Sequence, residues 1–490
     1  MSTPNVISPC SEAPSSQGLD LKSRIEGCWL GKSIGGTLGL PVEGVMERQN
    51  FSFYDPVPEV APPNDDLELQ LVWLHLVEHA TRPLTQADFA RAWREHIHYM
   101  WDEYGRCRWN IRRGVPVENL GTFENHFQNG MGSPIRSEIW ACLFAGDPDS
   151  AAYYAALDSS LDHGVEGTVG EVFFAVMQSV VAAGKTLEEG VAVAQKYIPA
   201  QSEVSAEIEF VLKNHQAGKS QWTCWEELMA RYCNENFTHA PLNVALTLWA
   251  LCYGRGDFEK SILLAVNGGY DTDCTAATVG ATLGLMIGRK QIPDRWIAPI
   301  GDGLYIGAGI HGIIAPKTIG ELTERSAALV GRLAPMPWTG AIWNQSPPAV
   351  DLAKLPGTLF VTPADGAPRV AWANGELPRE VKRAGGARWR WHLAQGEPRE
   401  IVCLAKKGAK LYVDDRLIIE CPAGLPYVPA THRSAPGSRV CINPGPGVHE
   451  VRVELGSTDA DQAASVILAY PNLHLCPWTP EELPYLADLP

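Results

Sequence analysis

Residues 267–288 read NGGYDTDCTAATVGATLGLMIG, and the fold of the chain turns on them. Asp271 and Asp273 stand between a glycine pair and a long run of small and apolar residues. A run of that kind predicts a helix packed closely against a neighbour, with little water at its start. Buried carboxylates are costly unless something offsets their charge. On a regular helix, residues two apart point to different sides. If Asp271 closes the loop and Asp273 lies in the first turn, both converge on one point at the helix N-terminus, where negative charge is favoured. The plainer reading makes Asp271 an ordinary N-cap and Asp273 a first-turn acid.

Working outward, residues 62–74, PPNDDLELQLVWL, repeat the arrangement: Asn64, Asp65 and Asp66 precede a strongly apolar helix. One cap needs one side chain, which leaves an acid over. Two acid pairs, each feeding a buried helix, point to shared cations. Oxygen ligands of this kind suit Mg²⁺, Ca²⁺ or Mn²⁺ rather than zinc. A third segment, GCWLGKSIGGTLGLPVEG at 27–44, has Gly27, Gly31, Gly35 and Gly39 at four-residue spacing. That spacing bares one side of a helix and predicts close backbone packing. Glu43 follows just past its end.

Apolar residues recur at three- and four-residue intervals from about 21 to 333, as in LELQLVWLHLVEHA, VGEVFFAVMQSVVAAG and LNVALTLWALCYG, and predict a bundle of buried helices. The Pro-rich residues 334–356 read as a linker after this domain. Residues 357–490 then alternate in short runs separated by Gly, Pro or Asp, which predicts a β-sandwich-like accessory domain. Within it LYVDDRLIIE reads as a tight hairpin. The RWRW motif at 388–391 is read as core filling between sheets in preference to a sugar-stacking surface. Residues 1–20, rich in Ser and Pro, read as a disordered tail.

In order along the chain, G-x-x-x-G with G-x-P-x-E, then D-D before a helix, then N-x-G-x-D-T-D before another, resemble the ADP-ribosylglycohydrolase family over residues 21–333. That family includes dinitrogenase-reductase-activating glycohydrolases and ADP-ribosyl-acceptor hydrolases. The resemblance implies an all-α orthogonal helical bundle with a binuclear Mg²⁺ centre, Mn²⁺ being the other ion used. Asn64, Asp65, Asp66, Asp271, Asp273 and Cys274 fall at the ligand positions. Asp65, Asp66 and Asp273 are the candidates for the general base. Glu43, Asn129, Gly130, Gly132, Ser133, His163 and Tyr270 fall where the family contacts substrate. The chain departs from the pattern in four places: Asn64 and Cys274 stand where hydroxyl ligands are usual, Gly36 where an acid is common, and Tyr270 where a glycine is frequent.

The expected activity is hydrolysis at the anomeric carbon of the ribose in an ADP-ribosylated protein or a small riboside. Two alternatives stand beside it: cleavage of another N- or O-riboside or modified nucleoside, and binding of ADP-ribose or a glycan without turnover. With 40 Lys plus Arg against 56 Asp plus Glu, the net charge of −16 argues against broad nucleic-acid binding. No apolar run reaches the roughly 20 residues of a spanning helix. The N-terminus does not read as a secretory signal, and the twelve Cys lack C-x-x-C pairs. A cytoplasmic protein with reduced thiols is expected, and the sequence is silent on its oligomeric state.

Overall fold

The structure, a computed structural model, describes residues 19–393 and 396–470. It divides into two compact units. One comprises the chain up to His98 together with Gln128–Ser346; the other comprises Tyr99–Phe127 together with the chain from Pro347. The tail expected at the N-terminus falls almost wholly outside the described residues.

The first unit is helical. Its centre is built from Val165–Ala182, Ala240–Gly254 and Thr272–Ile287, in which nearly every residue is buried. Such helices carry no polar stripe because they have no solvent face. Val165–Ala182 is long and apolar enough to cross a membrane by length and composition alone, and 89% of it is buried inside the protein. Six fully buried tryptophans, Trp29, Trp73, Trp93, Trp140, Trp249 and Trp296, fill the spaces between helices.

The first helix, Leu21–Gly39, starts at Asp20, whose carboxylate accepts from the Ser23 N–H at 2.7 Å. Its glycines form the seam expected of them. A Cβ on Gly31 would lie 2.1 Å from the Gly280 carbonyl oxygen, and one on Gly35 would lie 2.0 Å from that of Ala276. The facing glycines reciprocate, since a Cβ on Gly284 would lie 1.9 Å from the Gly27 oxygen. The two backbones therefore touch directly, antiparallel, along the whole contact. Gly31→Ala places a methyl group against backbone that cannot swing aside. It should cost more than the roughly 1–3 kcal/mol of ordinary overpacking, read as a lower denaturant midpoint at unchanged slope.

The second unit holds two antiparallel sheets. Its strands are β1 (Leu359–Pro363), β2 (Val370–Trp372), β3 (Gly386–Leu393), β4 (Arg399–Ala405), β5 (Ala409–Val413), β6 (Arg416–Cys421), β7 (Arg439–Ile442), β8 (Gly447–Leu455) and β9 (Ala464–Ala469). One sheet runs β2-β1-β3-β8-β5-β6 and the other β7-β4-β9. Both contribute to one apolar core: Val361, Leu411 and Val451 from the first, Ile401, Leu404 and Ile467 from the second. Trp389 and Trp391 are buried in that core while Arg388, Arg390 and His392 alternate outward, so RWRW is a core motif. The β5–β6 hairpin turns on Asp414 and Asp415, both at positive φ, as a two-residue type I′ turn requires.

Tyr99–Phe127 joins this unit although its helix, Asp102–Arg112, reads locally like those of the first. Side-chain anchors explain the grouping. The Arg106 guanidinium donates to the Ala373 and Asn374 carbonyls, and Arg113 donates to the Pro356 carbonyl and the Thr358 hydroxyl. Phe127 packs with Val428 and Ala430.

Candidate metal centre

The glycine seam sets the site. Because the first helix and Thr272–Ile287 run antiparallel in contact, the end of one abuts the start of the other: the Thr272 hydroxyl donates to the Gly39 carbonyl at 2.8 Å. The chain then turns through Leu40–Val42 and presents Glu43, exposed, beside that helix start. Two backbone bonds hold the following loop in place: Gly44 N–H donates to the Tyr270 carbonyl, and Tyr270 N–H to that of Val45, both at 2.9 Å. The second helix start comes from Asp65–Glu78. Asn64 is its cap, accepting from the Asp66 N–H at 2.7 Å, and its amide donates to an Asp273 carboxylate oxygen at 3.2 Å.

Two groups of ligand atoms result. In Asp66, Asp273 and Cys274, one atom from each lies within 4.8 Å of the others; in Glu43, Asp271 and Asp273 the same holds. Asp273 belongs to both. Asp65, half-buried, adds negative potential at Asp66 and Asp273 without joining either group. Asp271 occupies the N-cap position of its helix, yet its side chain caps no backbone N–H. That removes the plainer reading of Asp271. Both Asp66 oxygens, Oδ1 of Asp271 and Oδ1 of Asp273 are buried without a hydrogen-bond partner.

The electrostatics agree. Burial, then Asp273 and Glu43, push the Asp271 carboxyl well above the usual carboxylate range. Burial, then Glu43 and Asp65, take Asp273 up to about 8. Asp66 is also raised well above its ordinary value by burial, with Lys32 opposing. The cluster thus gathers more carboxyl groups than it can ionise unaided, and its hard oxygen donors fit divalent cations such as Mg²⁺ or Mn²⁺. Cys274 is the exception. Burial and the surrounding aspartates hold its thiol well above its ordinary value, and it is hydrogen-bonded to Asp271. It therefore stays protonated beside the cluster, close to the role of a hydroxyl.

The ADP-ribosylglycohydrolase family model matches residues 17–331. The chain belongs to the ADP-ribosylglycohydrolase family. An uncharacterized protein of Archaeoglobus fulgidus is 23% identical over 316 residues, which cover 58% of this chain and 94% of that protein. A solved structure described as an ADP-ribosylglycohydrolase-related protein complex superposes with a TM-score of 0.44 at 20% identity, covering 64% of this chain and 98% of the other. Family membership makes the chain an ADP-ribosylglycohydrolase-like hydrolase, in a family that is typically metal-dependent.

The remaining residues assigned to substrate by family order are mostly buried. Asn129 is half-buried, and Gly130 is buried and bridged to His239. The Gly132 carbonyl accepts from Arg136 at 2.9 Å. Ser133 is fully buried, hydrogen-bonded to Ser159 and to the Glu171 carboxylate at 2.7 Å. His163 is 1% exposed, with Nδ1 3.1 Å from Asp162. Arg136, bonded to both Asp158 and Asp162, organises this network. His163 joins neither of the two aspartate groups. Tyr270 is 4% exposed at φ +69, a backbone state that explains why glycine suits the position. Its hydroxyl faces the Asn234 backbone N–H.

Sequence reading missed Lys32. It is 1% exposed, 3.5 Å from Asp66 and 3.1 Å from Glu138. Burial alone would lower its pKa, and Glu138 and Asp66 outweigh that, so it stays charged. Gln70 donates to Glu138 at 2.9 Å, and Gln178 links Glu138 to Thr282. The available signal was a lysine inside a bare glycine-rich helix, where no water is expected. A pocket opens beside this network, lined by Lys32, Gly36, Asn64, Asp66 and Tyr305 among others. Tyr305, which lines the pocket and is 48% exposed, was also missed.

Proposed function

We propose that the protein hydrolyses the glycosidic bond of an ADP-ribosylated substrate at the anomeric carbon of its ribose, with two Mg²⁺ ions at the aspartate cluster. The observation that carries this reading is the gathering of Asp66, Asp271 and Asp273 from two distant helix starts, with buried oxygens left unsatisfied, in a chain of this family. Asp273 would be shared between the ions, Asp66 would hold one and Asp271 with Glu43 the other. When bound, such ions supply Lewis acidity to the ribose hydroxyls and lower the pKa of a water. Glu43, exposed beside the cluster, would meet the sugar. Asp65, in neither group, is our choice among the three candidates for the base that takes a proton from the attacking water. Residual negative charge from the cluster favours the oxocarbenium-like state through which such bonds break.

The acceptor is an ADP-ribosylated protein or a small riboside. Cys274 and Tyr270, which depart from the family pattern, support a second reading: the same centre acting on another N- or O-riboside. The free thiols of the described residues, eight of the ten buried, fit a reducing cytoplasmic setting. The test is turnover of ADP-ribosyl-arginine, ADP-ribosyl-serine and simple nucleosides with Mg²⁺, with Mn²⁺ and with excess chelator. Release of ADP-ribose that stops in chelator supports the first reading, and nucleoside cleavage alone the second. Tight binding without turnover under every divalent ion contradicts both.

A further inference from the structure

At the other end of the helix that begins with Asp65 lies a cluster that the proposed reaction does not use. His75 and His79 are one turn apart on Asp65–Glu78, with ring centroids 4.3 Å apart, and the His96 ring is 5.1 Å from His75. One ligand atom each from His75, Glu78 and His79 lies within 4.8 Å of the others. A helix of 14 residues puts this cluster roughly 20 Å along the axis from Asp65.

The imidazoles are set up as ligands. Nδ1 of His79 is 2.8 Å from the His75 carbonyl, and Nδ1 of His96 is 3.0 Å from the His311 carbonyl. A carbonyl only accepts, so each Nδ1 carries the proton and each Nε2 presents its lone pair. Backbone carbonyls fix metal-binding histidines in this way. The His96 backbone is itself pinned. Ile97 pairs with Ile310, His98 N–H donates to the Gly309 carbonyl at 2.7 Å, and His311 N–H to that of His96 at 2.9 Å. Glu78 is occupied by Arg325 through two bonds of 2.8 and 2.9 Å, so it adds charge nearby and leaves the ligation to the imidazoles.

We infer that His75 and His79, with the adjoining His96 ring closing on the ion, form a binding site for a nitrogen-preferring divalent ion of the Zn²⁺ or Ni²⁺ class, separate from the carboxylate centre. Imidazole suits these ions, whereas Mg²⁺ prefers oxygen. Three such ligands leave a fourth position for water, as in tetrahedral zinc sites. A bound ion would tie the end of the Asp65–Glu78 helix to the chain segment carrying His96 and raise the melting temperature by mass action.

The test titrates ZnCl₂ into the full chain by calorimetry, with Mg²⁺ in large excess to satisfy the carboxylates. The wild type should take up one Zn²⁺. His79→Ala and His96→Ala, both of side chains reaching solvent, should each weaken uptake at least about tenfold. Asp273→Asn should leave it unchanged. Cobalt(II) absorption read on the same variants checks that imidazole nitrogens are the ligands. No uptake by the wild type would overturn the inference, as would undiminished affinity in both histidine variants or loss of uptake in Asp273→Asn.

Discussion

Asp273→Asn should lower metal-dependent turnover by at least about a thousandfold, equivalent to the ~4 kcal/mol that removing one electrostatic stabiliser costs at an active site. The side chain belongs to both ligand groups, so one substitution weakens both. The shape is kept, and the amide retains an oxygen for the Asn64 amide to meet. Stability should move the other way. In chelator, the folded-state Asp273 carboxyl sits near 8, raised by burial, then Glu43 and Asp65, against about 4 in the unfolded chain. A carboxyl raised in this way gives its full contribution to stability below pH 4 and loses it as pH climbs towards 8, because the folded state holds the extra proton. Metal-free wild type should therefore be less stable at pH 8 than at pH 5, with Mg²⁺ removing most of the difference. Asp273→Asn should show a shallower decline. Denaturation at the two pH values, with and without chelator, reads both effects, and full activity in the variant would contradict the assignment.

Lys32→Met should produce the largest loss of stability. Lys32 compensates Asp66 and Glu138, all three of them essentially without solvent. Breaking a buried ion pair by removing one partner typically costs about 3–5 kcal/mol, because the other charge is left uncompensated. Here two carboxylates lose their cation. The denaturant midpoint should fall at unchanged slope. Adding Glu138→Gln should recover part of the loss, since the groups share one network and their effects are not additive. Equal stability of Lys32→Met and wild type would show that Lys32 is not the counter-charge described here.

Much of this was legible in the residues because it depends on local pattern. Four-residue glycine spacing implied a backbone contact, and the contact exists. Asn64 followed by two acids implied a cap with an acid to spare, and Asn64 does cap while Asp66 lies buried. The alternation in RWRW placed both tryptophans in the core. What was missed depends on distant pairing. Lys32 and Glu138 find each other only once the bundle is assembled, and neither has a local partner that reveals it. Arg136 bonds to Asp158 and Asp162 in a buried network beside His163 that no local pattern announced. Tyr99–Phe127 has helical periodicity, but its arginines bond to carbonyls of the β-rich unit, and no window of sequence contains both partners.

The proposed activity depends on cations shared by carboxylates from two helix starts. Anomalous scattering from Mn²⁺-loaded crystals tests it most directly. Two peaks should appear, one among Asp66, Asp273 and Cys274 and one among Glu43, Asp271 and Asp273, with Asp273 between them. A map with no peak within ligand distance of these aspartates, at Mn²⁺ concentrations that support turnover, would contradict it.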